Sequence, residues 1–564
     1  MTRFSLISVL ATSLAGIPAL AATPQLLTAT FVGTAGHDDF QGVCFAPDGT
    51  LLVVGNFDQP FTAPAEIPTL MLGKPVADSW YRCGTLMQFS GDGKQLLKVV
   101  QFARGLAFLT SVAVSKDGVY LGGYARAEFA GTIKEVAGLF ATPEQANAAP
   151  VPWPLPGDVL KANERPLDPA EPKILTLLSR HHGWAGGYPC VLRMRPELDR
   201  LDAGTFLEGY HYAWNNDQNL KEDEWTPTAV QIMDDGQVVV GHDGGVPGHY
   251  YYAPDYVSRL DAGLRKRSWR FDILFPSTDP AKVAKYQAKY EPRCAEWKVP
   301  YFGQTRLLGV RSDGRGAIYA CGWSVSATSR EPYWTPFLFK LDGSGHEVWR
   351  AYAPDPMSGA GDRINGLVAD SVIKSVGFAD DGQLIIAALS DGGNTVWTAS
   401  PADYAKPSQA RLKGSWTRVL SAERYKGAVL RINDAREMTG GTYLGTHVKM
   451  SPGGKTGWAV DVCGLPGKRV LALGRHTFHY ATTADAWVAD ESGPGGFIRV
   501  WDDNFDDQFI TNLPDTIPYA LARRGARIAV VGAARSENAL VKDAVFPKHN
   551  GMLDAYLLVA EFPE

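Results

Sequence analysis

The stretch Gly377–Gly393, GFADDGQLIIAALSDGG, decides the fold. Gly377–Ala379 reads as the end of a strand, Asp381-Gly382 as a tight turn, and Gln383–Leu389 as a strongly apolar strand with a polar, Gly-rich exit. Asp-Gly between two apolar runs signals a hairpin, because the turn needs a positive φ that glycine supplies without strain. The unit returns as GVCFAPDGTLLVVGNF (42–57), SVAVSKDGVYLGGYA (111–125), AVQIMDDGQVVVGHDGG (229–245) and LGVRSDGRGAIYACGW (308–323). Two degenerate copies follow, VDVCGLPGKRVLALGRH (460–476) and ALARRGARIAVVGAAR (520–535).

Each copy is followed by apolar runs able to form a second hairpin, such as Tyr188–Met194 with Leu201–Leu207 and Phe337–Leu341 with Glu347–Tyr352. Four strands per repeat and seven repeats imply an all-β fold, a seven-bladed β-propeller. The seventh copy has one later strand, Leu553–Phe562, and Gln25–Val32 has no repeat of its own. Pairing these two terminal strands closes the ring and removes the open edges. The interval between Gly118 and Gly236 is the longest and admits an eighth blade. Its Pro-rich VPWPLPGDV and ERPLDPAEP favour an insertion.

The first residues, MTRFSLISVLATSLAGIPALAA, read as a signal peptide over 1–21: a basic start, a short apolar run and a small-x-small cleavage site. The expectation is a single propeller domain over 22–564, exported to the periplasm, the cell surface or the medium, monomeric and without a membrane-spanning segment. The 59 Gly, 37 Pro and 11% aromatic residues suit short strands joined by turns. A net charge of −5 leaves no overall basic footprint for nucleic acid. Six cysteines permit disulfides, although Cys44, Cys321 and Cys463 sit in apolar strands where buried thiols are an alternative.

Turn lengths give the chain two unequal faces. The turns within each hairpin are short, whereas the long insertions (58–82, 126–187, 272–304 and 390–427 above all) fall where connections emerge on the opposite face. Binding residues concentrate on loops held by a rigid scaffold, so this built-up face is the expected site. The ends of the second strand of each repeat supply candidate ligand-binding residues: Asp58, Arg126, His242, Asp243, Trp323, Asp391, His476 and Arg535.

Asp554-Ala555-Tyr556-Leu557, Phe339-Lys340-Leu341-Asp342-Gly343-Ser344-Gly345 and Ala379-Asp380-Asp381-Gly382 resemble the bacterial exported propeller repeats of the SBBP type. That resemblance spans most of the chain and implies fold and export, not an activity.

Histidine and aromatic residues are dense over 181–252 and again at His476, His479 and Tyr480. The first functional expectation is a binding or surface-interaction module for a glycan or protein. The alternative is an extracellular polysaccharide lyase, with His and Tyr as base and acid and Arg126 or Arg535 neutralising a uronate. A metal- or cofactor-dependent oxidoreductase ranks third. No H-E-x-x-H, haem or zinc spacing, nucleotide fingerprint or G-x-S-x-G motif occurs, so no cofactor and no metal site is expected. Asp502, Asp503, Asp506 and Asp507 do not satisfy a calcium-loop pattern and read as a solvated turn.

Overall fold

A computed structural model describes residues 23–75, 82–126, 129–136, 138–148, 187–209, 228–242, 244, 255–273, 305–324, 335–352, 371–390, 396–414, 426–444, 457–476, 480–489 and 494–563. The signal-peptide reading of 1–21 lies outside the described residues, as do Asp243, Asp391 and most of the long insertions. Within the described residues the chain is a seven-bladed propeller.

With strands lettered A to D from axis to rim, blade 1 is Asp39–Phe45, Leu51–Phe57, Cys83–Phe89 and Leu96–Phe102. Blade 2 is Ala107–Ser115, Gly118–Ala125, Tyr188–Met194 and Leu201–Phe206. Blade 3 is Ala229–Ile232, Val238–His242, Tyr256–Leu260 and Arg267–Asp272. Blade 4 is Thr305–Ser312, Ile318–Ser324, Thr335–Leu341 and Glu347–Ala351. Blade 5 is Ser371–Phe378, Leu384–Ser390, Lys426–Ile432 and Met438–Tyr443, and blade 6 is Gly457–Leu465, Arg469–His476, Gly495–Trp501 and Asp507–Pro514. Blade 7 takes Thr516–Arg524, Arg527–Ala534 and Asp554–Glu561 from the C-terminal part, and its strand D is Gln25–Val32. The terminal strands pair antiparallel from Gln25↔Glu561 to Val32↔Ala555, which closes the ring.

The turn in the opening stretch is longer than a two-residue loop. Strand A ends at Phe378 and strand B begins at Leu384. Ala379 and Gly382 close the turn (N···O 2.9 Å), and Gly382 takes φ +83°. The positive φ thus falls on the glycine as expected, in a turn followed by a bulged residue.

Strand B is apolar along its whole length because both faces of each blade are buried. Leu384, Ile386 and Ala388 enter the core shared with blade 4, while Ile385 and Ala387 enter the core shared with blade 6. Seven such cores fill the seven seams. Each fully buried Leu or Ile there contributes about 1.5–3 kcal/mol.

Six of the seven inner strands carry a bulge at one level: Gln41, Thr110, Leu308, Lys374, Val460 and Tyr519 fall out of register with strand B. In five of these blades the strand-B residue opposite the position before the bulge is a glycine: Gly55, Gly123, Gly322, Gly474 and Gly532. A Cβ there would lie 1.8–2.4 Å from a strand-A carbonyl oxygen. Blade 5 keeps the bulge with Ala388 in that place.

The long B–C connections serve a second purpose. Thr69–Leu72 adds in parallel to strand D of blade 1. Phe140 bonds the outer strand of blade 2 at Phe206, Lys413 that of blade 5 at Gly441 and Tyr443, and Thr483 that of blade 6 at Ile510. Lys542 and Phe546 bond Ala29 and Phe31 on the outer strand of blade 7. In five blades the insertion therefore runs down the rim and covers an open sheet edge. No helix among the described residues is long and apolar enough to cross a membrane.

Candidate functional site

The strand-B ends reach the face where B–C and D–A connections emerge, and among the described residues they do not gather round one cavity. Asn56 clips the seam between blades 1 and 2: its amide donates to Leu109 O (2.9 Å) and its oxygen accepts from Leu109 N (2.8 Å). Arg475 does the same between blades 6 and 7 through Pro518 O. Trp323 is fully buried against Val372 and Leu389. Asp58 accepts from His37 N (2.7 Å) and pairs with Arg82 (3.1 Å), tying the closing strand to blade 1. Arg126 bonds Leu106 O through its backbone, and Arg535 is exposed with its backbone on Asp515 O.

His476 lies at the seam of blades 5 and 6. Its Nε2 is 2.9 Å from Gly496 O, its ring stacks on Phe497, and Tyr480 meets it edge-on at 5.8 Å. The Tyr480 hydroxyl donates to Leu444 O (2.6 Å), so this His–Tyr pair bridges the seam.

His242 has different neighbours. Register places His242, Tyr256 and Asp272 side by side at the built-up end of blade 3. The His242 ring is fully buried, 5.3 Å from the Tyr256 ring. The Arg270 guanidinium covers the same tyrosine at 4.3 Å and grips Asp272 bidentately, at 2.7 and 3.0 Å. Glu208, at the end of blade 2, joins Arg267 and Arg270.

Burial alone would raise the Glu208 carboxyl, but Arg267, Arg270 and His242 outweigh it and hold it below the ordinary carboxylate range. Burial pushes the Tyr256 hydroxyl up against the opposing pull of Arg270, so it stays protonated at neutral pH. The arrangement offers an imidazole, a protonated phenol and a fixed guanidinium within one row, at the junction of blades 2 and 3. Arg267, Arg270, Asp272 and Glu208 are not among the residues that the sequence singles out. Nothing in an outer strand reading KRSWRFD distinguishes such arginines from solvated ones.

The four clustered aspartates at the blade 6 C–D turn divide as a solvated turn does. Asp502 accepts from Asn504 N and Asp506 N, Asp507 grips Arg499, Asp506 meets Lys413, and Asp503 meets Arg431. Among the described residues no group of His, Cys, Asp or Glu is arranged to hold a metal ion. The five described cysteines are free thiols. Burial raises all of them, Cys83 to about 11, which makes them poor nucleophiles.

No protein-family model and no curated protein matches this sequence. Solved structures align with it over most of its length at low identity. An ulvan lyase, described as a polysaccharide lyase bound to a GlcA(1-4)Rha3S saccharide, aligns over 90% of this chain and 92% of its own, at 8% identity and a TM-score of 0.42. The polysaccharide lyase Uly1 aligns over 95% and 100%, at 10% identity and a TM-score of 0.38. BamB from Moraxella catarrhalis aligns over 96% and 100%, at 9% identity and a TM-score of 0.35. At these values the likeness carries no argument about this chain.

Proposed function

We propose that this chain is an exported propeller that binds an extracellular ligand, a glycan or a protein, where blades 2 and 3 meet on the built-up face. The observation that carries the reading is the buried row of His242, Tyr256, Arg270 and Asp272 with Glu208. A buried ion network contributes little net stability compared with apolar packing of the same volume. What sets this row apart is its composition, an imidazole, a phenol and two guanidiniums side by side at a loop-bearing blade end, a set suited to a polar ligand.

A second reading, a polysaccharide lyase, is favoured by the same juxtaposition of His, Tyr and Arg. β-Elimination needs a base for the sugar carbon acid, an acid for the leaving oxygen and a cation for the uronate. Arg270 is already held by Glu208 and Asp272, which leaves the third role to another cation and ranks this reading second.

One experiment separates them. The full chain and His242→Ala are presented to a panel of uronic-acid polysaccharides and neutral glycans, scoring both retention and formation of unsaturated uronate. Retention weakened by His242→Ala, without unsaturated product, supports the binding module. Product abolished by His242→Ala moves the protein to the lyase class. Neither signal across the panel, with no protein captured from the organism's own surface extract, overturns both.

A further inference from the structure

The axis holds a cavity of about 700 Å³, lined by the inner strands of all seven blades from the level of the bulges towards the tight A–B turns. It lies away from the blade 2–3 row, and the inference drawn from it is independent of that reading.

Three features of its wall point one way. The first is the bulge ring. A bulge re-aims a side chain out of the sheet pattern. Gln41, Leu308, Lys374, Val460 and Tyr519 are accordingly part-exposed, although the residue before each is buried; Thr110 is the more covered member. The second is charge. Among the described lining residues stand Arg311, Lys374, Arg475 and Arg523, with Asp461 the one carboxylate. Asp461 is consumed by the fold: it accepts from Ser375 Oγ, Val462 N and Leu521 N and faces Arg311 at 3.3 Å, knitting blades 4 to 7 together. The third is crowding. Burial, and after it the charge of Arg523, hold the Arg469 guanidinium outside the lining below its ordinary value, so Arg523 acts on a second cation there. Asp380 outside the lining answers Arg523 at 3.0 Å.

Cations of one sign in a walled cleft focus the field and concentrate counter-ions. The volume falls within the range of small-molecule sites, about 300–1,000 Å³. Arg475 lies 4.6 Å over the Tyr519 ring, which gives the wall a flat, amphipathic patch beside the charges.

We propose that this axial cavity is a binding site for a small polyanion, a molecule of about disaccharide size carrying two or more carboxylate, sulfate or phosphate groups, held by Lys374, Arg311, Arg475 and Arg523. Arg311 and Arg475 keep their structural contacts and add charge. Lys374, on the bulge at the end of the cavity away from the tight turns, makes the discriminating contact.

The test is calorimetric titration of the full chain at low ionic strength with three probes: a sulfated uronate disaccharide, inorganic pyrophosphate and neutral cellobiose. The expected result is saturable binding of at least one anionic probe and none of cellobiose, weakening as salt is raised. Whichever anionic probe binds tighter assigns the source as an acidic saccharide or a phosphorylated compound. Lys374→Gln should weaken that binding at least about tenfold. Leu308→Trp narrows the cavity at the level of the Lys374 bulge without altering a charge and should weaken binding as well. If Lys374→Gln fails to fold by circular dichroism, Leu308→Trp and the salt dependence decide. No heat from either anionic probe at millimolar concentration overturns the proposal, as does equal binding of cellobiose, or binding that neither variant disturbs. The variants differ from His242→Ala, so failure here leaves the built-up-face reading untouched.

Discussion

Glycine does two unlike jobs in this chain, and they separate experimentally. Gly382 has φ +83° and nothing within 4 Å of an added Cβ, so Gly382→Ala meets only the left-handed backbone penalty, about 1–2 kcal/mol. Gly322 has ordinary φ, but an added Cβ would sit 1.8 Å from Arg306 O, beside the Leu308 bulge. Gly322→Ala must push two paired backbones apart, and the expected loss is about 3 kcal/mol, at the upper end of the overpacking range. Urea unfolding midpoints of the two variants check this, and an equal shift would refute the distinction. The turn glycine was legible in the sequence, because Asp-Gly advertises its own conformation. The bulge was not: Gln41, Thr110, Leu308, Lys374, Val460 and Tyr519 share no chemistry, and only the glycine across the strand hints at them. The candidate site divides the same way. His242 was legible as a polar residue ending an apolar strand. Arg270 was not, because its importance lies in the tyrosine it covers and the carboxylates it joins across two blades.

At the scale of elements, the connection from the closing strand into blade 1 carries a titrating group. Asp38 is fully buried, and burial pushes its carboxyl up to about 6. The opposing effects are hydrogen bonds from Thr34 and from the Asp58 backbone, while the Asp58 charge adds to the rise. The unfolded chain releases this proton near 3.8 and the folded chain holds it to about 6. Between those values the folded state binds more protons, so Asp38 makes stability fall as pH rises through that window and adds no further slope above it. The slope is at most about 1.4 kcal/mol per pH unit. Denaturation of the wild type and of Asp38→Asn across pH 4–7 checks it: subtracting the variant should leave this descending contribution, and an ascending difference would refute the assignment. Element boundaries were largely readable, since strand B has both faces buried and turn residues punctuate it. Missing from the sequence reading was where the insertions go. A stretch such as 399–414 shows no sign in composition that Lys413 will bond Gly441 at the blade 5 rim.

Ring closure is the property of the whole molecule that the sequence disclosed most directly, because Gln25–Val32 was a strand in search of a blade. It is also where stability should concentrate. The closing strand buries Ala29, Phe31 and Val32 completely or nearly so, and pairs along its length with Asp554–Glu561. Its outer edge is bonded by Lys542 and Phe546, and Trp487 of blade 6 donates to Pro24 O at 2.9 Å. A propeller is otherwise a chain of nearest-neighbour seams, each blade resting on the next. Without closure, blades 7 and 1 remain joined through strands A to C, but strand Asp554–Glu561 presents a bare hydrogen-bonding edge. Removing residues 23–32 deletes the strand while leaving all seven A–C triplets intact. The expected outcome is a chain that keeps much of its β-sheet circular dichroism but self-associates on gel filtration through that edge. Unfolding should begin at the 6–7–1 region, read as hydrogen exchange in Asp554–Glu561 accelerating well before exchange in Leu384–Ser390. Adding Gln25–Val32 as a separate peptide should restore the monomer and the protection. A truncated chain that stayed monomeric, with exchange unchanged in Asp554–Glu561, would mean that the seams alone hold the ring and that the terminal strand is a covering rather than a lock.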